Sequence, residues 1–198
     1  MKKNLPIIIL TLLISVANCY SQEVKDQKSK RMRPALLVID IQNAYLPMIP
    51  DREKEVGMYM INAMIDLFRK NGFPIIRIHH QDLAEGPKTD SEAFEFPTTV
   101  QIKPDDPRVI KHYGDGFNKT ELDKVLKDKG CNTVFLCGLS AVGCVLATYI
   151  GAENHDYKAF FIKDAIMSHN STYTDNIEEI FGAINYDVVK VMLENAEK

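Results

Sequence analysis

Five short apolar runs recur along the chain, and none of them alternates cleanly with polar residues. Such runs are rich in Val, Ile and Phe, which is typical of strands that are buried on both faces of a sheet. We therefore predict strands at residues 35–40 (ALLVID), 74–80 (PIIRIHH), 133–138 (TVFLCG), 158–165 (KAFFIKDA) and 187–192 (DVVKVM).

Segments of helical character separate these runs. Residues 52–72 carry apolar side chains at helical spacing, including Val56 and Phe68, and end on glycine. Residues 120–130 open with a Thr-x-x-Asp cap pattern and also end on glycine. Further helices are predicted within residues 141–156 and 171–185. Strands that alternate with helices predict an α/β fold, in which helices cover both faces of a parallel sheet.

The N-terminus reads as an export signal. A short basic start, MKK, precedes an apolar run at residues 5–17, which is too short for a comfortable membrane span. We therefore predict a signal peptide over residues 1–21, cleaved after Ser21, and export to a bacterial periplasm. The alternative is a lipoprotein anchored at Cys19, since Val-Ala-Asn-Cys resembles a lipobox.

The remaining chain divides into a polar tether at residues 22–33 and a domain at residues 34–198. With 198 residues, of which 45% are hydrophobic, the chain is long enough for one domain with a substantial core. Its formal net charge of -3 gives no electrostatic reason to expect a nucleic-acid partner. No stable membrane span is expected either.

The cysteines do not form a disulfide framework. After removal of the signal, three cysteines remain, and that odd number in a domain of this size argues against structural bridges. Cys131 and Cys137 flank one short strand, whose ends lie too far apart for a bridge.

Several chemically active side chains follow the predicted strands. In a parallel sheet, ligands bind beyond the carboxyl ends of the strands. Asp40 closes the first strand, and it is either a helix cap or a catalytic group. Lys111 is a solvated charge unless it faces the same cleft. Residues 81–109 form a long irregular stretch, which is typical of a functional loop or lid.

Cys144 lies near the start of the helix that follows the strand at residues 133–138. Unpaired N–H groups and the helix dipole at such a position favour a thiolate, and the same N–H groups can hold a developing oxyanion. The small residues around it leave room for a substrate carbonyl. The alternative is a buried cysteine that only packs.

Three stretches together carry a family resemblance: ALLVIDIQNAY, then VIKHYGDGF, then VFLCGLSAVGCVLAT, followed by DYKAFFIKDA. In this order they resemble the isochorismatase-like cysteine hydrolase superfamily over essentially the whole domain. The resemblance implies a three-layer α/β/α sandwich with a mainly parallel, Rossmann-like sheet. It implies a catalytic triad of Asp40, Lys111 and Cys144. It also implies a cis peptide bond between Leu139 and Ser140.

The mechanism that follows is hydrolysis of a small-molecule C–N bond, of the amide type, through a thioester on Cys144. Asp40 takes the thiol proton, Lys111 keeps Asp40 ionised, and the N–H groups of Ser140 and Cys144 form an oxyanion hole. The alternatives are vinyl-ether or ester hydrolysis on the same fold, or a binding protein without turnover. No cofactor is expected, and members of this superfamily usually form homo-oligomers.

We expect no catalytic metal. Nicotinamidases of this fold carry an Asp/His cluster after the first strand and a Trp-His element after the second. Here the loop at residues 46–57 has no histidine, and the chain has no tryptophan. His79 and His80 are adjacent on a strand, so they point to opposite sides. Tyr45, His80 and Phe117 are possible pocket residues, although these aromatics could equally be ordinary core residues.

Overall fold

The computed structural model describes residues 31–198. The signal peptide, the possible lipidation at Cys19 and most of the tether therefore lie outside the described residues and stay predictions. The compact unit comprises Met32–Lys198. None of the helices between residues 31 and 198 combines the length and the apolar character needed to cross a bilayer.

A five-stranded sheet, parallel throughout, forms the centre of the domain. Its strand order is β3-β2-β1-β4-β5. The strands are β1 (Pro34–Ile39), β2 (Ile75–His80), β3 (Arg108–Lys111), β4 (Thr133–Leu139) and β5 (Lys158–Met167). Because β1 is central and the chain then crosses to both sides of it, the carboxyl ends of β3, β2, β1 and β4 lie in a row.

Helices cover the two faces of this sheet. They are α1 (Asp51–Asn71), α2 (Leu122–Asp128), α3 (Leu146–Asn154), α4 (Ser171–Ile180) and α5 (Tyr186–Glu194). One apolar cluster contains buried residues of α1 and α5, and a second contains buried residues of α2, α3 and α4. The fold is therefore the three-layer α/β/α sandwich with a Rossmann-like parallel sheet that the resemblance implied.

Strand β1 shows why its sequence lacks polar alternation. All six of its residues are buried. Leu36 and Val38 pack into the cluster with α1, whereas Leu37 and Ile39 pack into the cluster with α2. Because successive side chains of a strand point to opposite faces, a strand covered on both sides needs apolar residues at every position.

The predicted strand at residues 187–192 is wrong, because this segment lies within helix α5. The side chain of Asn185 caps that helix by accepting a hydrogen bond from the N–H of Val188 at 3.0 Å. Val189 and Leu193, four residues apart, are both buried. The apolar residues therefore follow the helical period, and a six-residue window was too short to reveal it.

Strand β3 was not predicted. It has only four residues, and it begins and ends on the cations Arg108 and Lys111. Its pairing with β2 decides its conformation, with His80 in register with Lys111. That pairing is a tertiary effect, so a local sequence pattern cannot reveal it.

Gly138 allows β4 to lie against β1 at the end of the strands. Its φ of 119° is a left-handed conformation that residues with a side chain rarely adopt. A Cβ atom at this position would overlap the carbonyl oxygen of Ile39 in the neighbouring strand. Glycine is therefore required here both for the backbone angle and for the close approach of the two strands.

Candidate active site

Four neighbouring strand ends each contribute one polar side chain to a single group. Lys111 ends β3, His80 ends β2, Asp40 follows β1, and Cys144 follows β4. Asp40 has a positive φ of 53°, which is uncommon for a residue with a side chain. The structure thus brings together all three residues of the expected triad, with His80 among them.

Lys111 and Asp40 form a buried ion pair. The Nζ atom of Lys111 lies 2.7 Å from Oδ2 of Asp40, and the two side chains are 0% and 3% exposed. Nζ is also 3.2 Å from the backbone oxygen of Tyr113 and 3.2 Å from Nδ1 of His80. The ammonium group therefore lies among several polar groups, and it also lowers the pKa of the Cys144 thiol.

The second oxygen of Asp40 is in a different situation. Oδ1 is buried and makes no hydrogen bond of ordinary geometry with residues 31–198. Burial raises the pKa of Asp40, and the charge of Lys111 and the contact with the Cys144 thiol oppose that shift. Lys111 therefore acts on Asp40 in the expected direction, but desolvation is the larger effect. A carboxylate oxygen without a partner is well suited to accept a proton.

The environment of Cys144 corrects one expectation. Burial and the negative charge of Asp40 raise the pKa of this thiol to about 11, against the lowering effect of Lys111. The sequence position had suggested a thiolate, but at neutral pH the thiol stays protonated. Proton transfer to a base must then accompany attack by the sulfur, and Asp40 is the carboxylate beside it.

The three cysteines within residues 31–198 are all free, and they differ in access. Cys137 is fully buried and Cys131 is 8% exposed, whereas Cys144 is half-buried. Burial raises the pKa of Cys131 to about 11 as well. Access rather than acidity therefore distinguishes Cys144 from Cys131.

The segment between β4 and Cys144 has an unusual backbone. A cis peptide bond joins Leu139 and Ser140, at the position that the resemblance implied. A turn at Ala141–Val145, which is kinked by the non-helical backbone angles of Gly143, follows and leads into α3. Within it the N–H groups of Gly143 and Val145 donate to the carbonyl oxygen of Ser140 at 2.9 and 3.2 Å. This turn carries the Cys144 side chain to the edge of the sheet beside Asp40.

The three expected pocket residues have different positions. Tyr45 lies near the polar group. Burial raises its pKa to about 12, and the negative charges of Asp40 and Cys144 add to that shift. His80 contacts Lys111 directly. Phe117 is 5% exposed and stacks against His155 with ring centroids 4.8 Å apart. Phe117 is therefore enclosed in the apolar cluster that Cys144 also packs against, and its role in a substrate pocket stays a prediction.

Sequence reasoning missed Gln42, which is fully buried two residues after Asp40. Its Nε2 donates to the backbone oxygen of His80 at 3.1 Å, and its Oε1 accepts from the N–H of His80 at 2.7 Å. This two-way contact fixes the end of β2 against the loop after β1. The available signal was a glutamine directly after an apolar strand, where it could reach the backbone of the neighbouring strand.

The same group contains side chains that could bind a metal. Asp40, His80 and Cys144 each offer one ligand atom, and these atoms lie within 4.8 Å of one another. Carboxylate, imidazole and thiolate are a suitable donor set for zinc. However, the Lys111 ammonium lies within hydrogen-bonding distance of two of these groups, and its charge opposes a cation at this position.

Comparison with protein families identifies the family of this domain. The model of the isochorismatase domain matches residues 34–186, which is most of the chain. The chain belongs to the isochorismatase domain family. Within this family it is similar to YwoC, an uncharacterized isochorismatase family protein of Bacillus subtilis. The two are 30% identical over 164 residues, covering 74% of this chain and 82% of that protein.

Solved structures of this isochorismatase family share the fold. N-carbamoylsarcosine amidase from Thermoplasma acidophilum has a TM-score of 0.67 and 25% sequence identity, over 78% of this chain and 95% of that one. A pyrazinamidase of Pyrococcus horikoshii in complex with zinc has a TM-score of 0.66 and 21% identity, over 76% of this chain and 94% of that one. The second likeness bears on the fold alone.

Proposed function

We propose that this isochorismatase-family protein is a cysteine hydrolase that cleaves a C–N bond of the amide type in a small molecule. The observation that carries the proposal is the unpartnered Oδ1 of Asp40 beside the protonated thiol of Cys144. A carboxylate with one oxygen left without an ordinary hydrogen-bond donor, next to a thiol that must lose its proton, is well placed to act as the base for that nucleophile.

The first half-reaction transfers one proton and forms one bond. Asp40 takes the thiol proton of Cys144 as the sulfur attacks the substrate carbonyl carbon. The ammonium of Lys111 stabilises the negative charge that the thiolate acquires, since its charge lowers the pKa of the Cys144 thiol. The C–N bond then breaks, and Asp40 returns the proton to the leaving amine. A thioester on Cys144 remains.

The second half-reaction uses water. Asp40 is again ionised, and it takes a proton from a water molecule while the oxygen of that water attacks the thioester. The C–S bond breaks, the acid product leaves, and the proton returns to Cys144. In both halves the carbonyl oxygen becomes negative, and the N–H groups of Ser140 and Cys144 are the proposed donors to it. The small residues Ala141 and Gly143 leave space around this oxygen.

The choice of an amide-type substrate rests on the presence of a cysteine in this position and on the likeness to an N-carbamoylsarcosine amidase. The protein named in that comparison is an amidase, and the proposal extends only the bond type to this chain. Vinyl-ether hydrolysis would need no sulfur nucleophile, whereas an ester could react through the same thioester, so the choice of amide over ester rests on the likeness to the amidase. A binding protein would need no unpartnered base beside a thiol.

We further propose that the protein works after export, because the N-terminus has the basic start and apolar run of a signal peptide. Fractionation of cells, with mass spectrometry of the mature N-terminus, distinguishes cleavage after Ser21 from lipidation at Cys19. We also propose that the protein is a homo-oligomer. Analytical ultracentrifugation measures its oligomeric state directly.

Turnover of a panel of small amides, ureas and lactams tests the proposed function. Wild type should hydrolyse at least one member, and Cys144→Ala should reduce that rate by roughly a thousandfold or more. Cys131→Ala is the matched control, because it removes a buried thiol outside the catalytic group. Undiminished hydrolysis by Cys144→Ala would reject the thioester and favour a reaction that uses Asp40 alone.

A further inference from the structure

A cavity lies on the other face of β2, apart from the catalytic group, which comprises Asp40, His80, Lys111 and Cys144. Its volume is about 380 Å³, and it is lined by Arg77 and His79 of β2 and by the chain segment within residues 95–104. His79 and His80 are neighbours on the strand, so their side chains point to opposite faces of the sheet. No residue of the catalytic group lines this cavity.

His79 is the most unusual residue of this cavity. Its side chain is only 1% exposed, and its ring stacks on Phe96 with the centroids 4.2 Å apart and on Phe94 at 5.2 Å. Neither ring nitrogen has a hydrogen-bond partner in the described chain. A buried polar group without a hydrogen bond lowers the stability of a fold by about 1–3 kcal/mol. The ring nitrogens of His79 therefore need a hydrogen-bond partner from outside the chain.

Glu95 does not supply that partner. Its Oε2 lies 3.9 Å from Nε2 of His79, which is too far for a hydrogen bond. Its Oε1 instead accepts from Nη1 of Arg108 at 2.9 Å. Burial, together with the charges of Arg108 and Arg77, lowers the pKa of His79 to about 3. The ring is therefore neutral, with one nitrogen that donates and one that accepts.

The charges around the cavity are mainly positive. Nε and Nη2 of Arg77 donate to the backbone oxygens of Asp106 and Pro104, each at 3.0 Å, which holds the guanidinium in place. Lys103 also lines the cavity, and it is exposed. The acidic lining residue is Glu95, and its charge is offset by Arg108. An anion in this cavity would meet a net positive field.

The rest of the lining is apolar. Phe96, Pro97, Val100 and Ile102 contribute carbon surface to the same cavity. Ligand pockets of this kind combine an apolar wall with a few polar groups that fix orientation. The volume is within the range of pockets that hold small organic molecules, roughly 300–1,000 Å³.

From these observations we propose that this cavity is a binding site for a small organic carboxylate with an apolar body. The neutral ring of His79 donates a hydrogen bond to the carboxylate, Arg77 and Lys103 balance its charge, and Phe96 packs against its carbon skeleton. The site is distinct from the catalytic group, and it does not depend on the proposed hydrolysis.

Benzoate is the probe for this site, with benzamide as a neutral analogue of the same shape. The ring signals of His79 and His80 are followed by NMR in histidine-labelled protein and assigned with His79→Phe and His80→Phe. Benzoate should shift the His79 signals saturably and leave those of His80 in place. Benzamide should bind at least about tenfold more weakly, since it lacks the charge.

Two variants test the contacts separately. His79→Phe keeps the aromatic stack but removes the donor, and Lys103→Met removes an exposed charge without disturbing the core. Each should weaken benzoate binding about tenfold, measured by calorimetry. Lys190→Met is the control, because it removes an equally exposed lysine on α5 that does not line the cavity. It should leave the affinity unchanged.

Three results would overturn the proposal. One is the absence of any saturable shift of the His79 signals with benzoate. Another is equal affinity for benzoate and benzamide, which would mean that the cavity only takes up apolar groups. The third is an equal loss in Lys190→Met and Lys103→Met, which would mean that the anion senses the general surface charge.

Discussion

Lys111 binds only one of the two carboxylate oxygens of Asp40. Its Nζ atom lies 2.7 Å from Oδ2, while Oδ1 stays buried without a hydrogen bond of ordinary geometry to the described residues. A purely structural ion pair gains most when both oxygens are satisfied. The incomplete pairing therefore distinguishes an Asp40 that can act as a base from one that only forms a salt bridge in the core.

Breaking the ion pair should destabilise the fold strongly. Lys111→Met leaves a buried carboxylate without its partner, and we expect a loss of about 3–5 kcal/mol in the free energy of unfolding. Adding Asp40→Asn to Lys111→Met should restore much of that loss, since no buried charge remains. Urea denaturation of the two single variants and the double variant completes the cycle. Additive losses would show that the two residues do not interact.

Removing the charge of Asp40 should make Cys144 more acidic. The carboxylate raises the pKa of this thiol, which lies at about 11, and Lys111 lowers it. In Asp40→Asn the alkylation rate of Cys144 should therefore reach its midpoint at a lower pH than in wild type, because the thiolate forms more readily beside the remaining cation. Turnover should nevertheless be lost. An unchanged midpoint would mean that Asp40 does not act on the sulfur.

Gly138 should tolerate no side chain. In Gly138→Ala the new methyl group meets the carbonyl oxygen of Ile39, and the backbone angle is unfavourable as well, so we expect a loss of about 3 kcal/mol or more. Gly182→Ala is the matched control. Its φ of 62° is also left-handed, but nothing lies within 4 Å of the added carbon, so about 1 kcal/mol is expected. Equal losses from thermal denaturation would refute the steric argument.

Chelation should leave turnover unchanged. In the proposed mechanism the Lys111 ammonium stabilises negative charge beside Asp40, and it lies within hydrogen-bonding distance of both Asp40 and His80. Dialysis against EDTA should therefore not reduce the hydrolysis rate. Added zinc should inhibit hydrolysis, because Asp40, His80 and Cys144 offer it three ligand atoms. With zinc bound to them, Asp40 and Cys144 could not exchange a proton. Loss of activity on dialysis and its recovery with zinc would assign the role to a metal.

Much of the fold was predictable because β1, β2, β4 and β5 are short, continuous apolar runs, which are typical of strands buried on both faces of a sheet. The segment at residues 187–192 shows the limit of that signal. Val189 and Leu193 are buried at helical spacing, yet the stretch DVVKVM also satisfies a strand pattern. Strand β3 escaped prediction because only its pairing with β2 makes it a strand.

The same division applies to the candidate active site. Asp40 and Cys144 were identifiable from their positions after predicted strands, whereas Lys111 was identifiable only from the family resemblance. The protonated state of the Cys144 thiol was not, because it depends on burial and on the charge of Asp40, two effects that become visible only when the strand ends meet. Gln42 and the enclosed position of Phe117 likewise depend on neighbours that are distant in sequence.

The central claim is that Cys144 is the nucleophile. Iodoacetamide labelling, followed by peptide mass spectrometry and by residual turnover of an amide substrate, tests it most directly. Cys144 is half-buried whereas Cys131 and Cys137 are buried, so Cys144 should be labelled first, and activity should fall in proportion to its labelling. Labelling of Cys144 to completion with turnover intact would contradict the account.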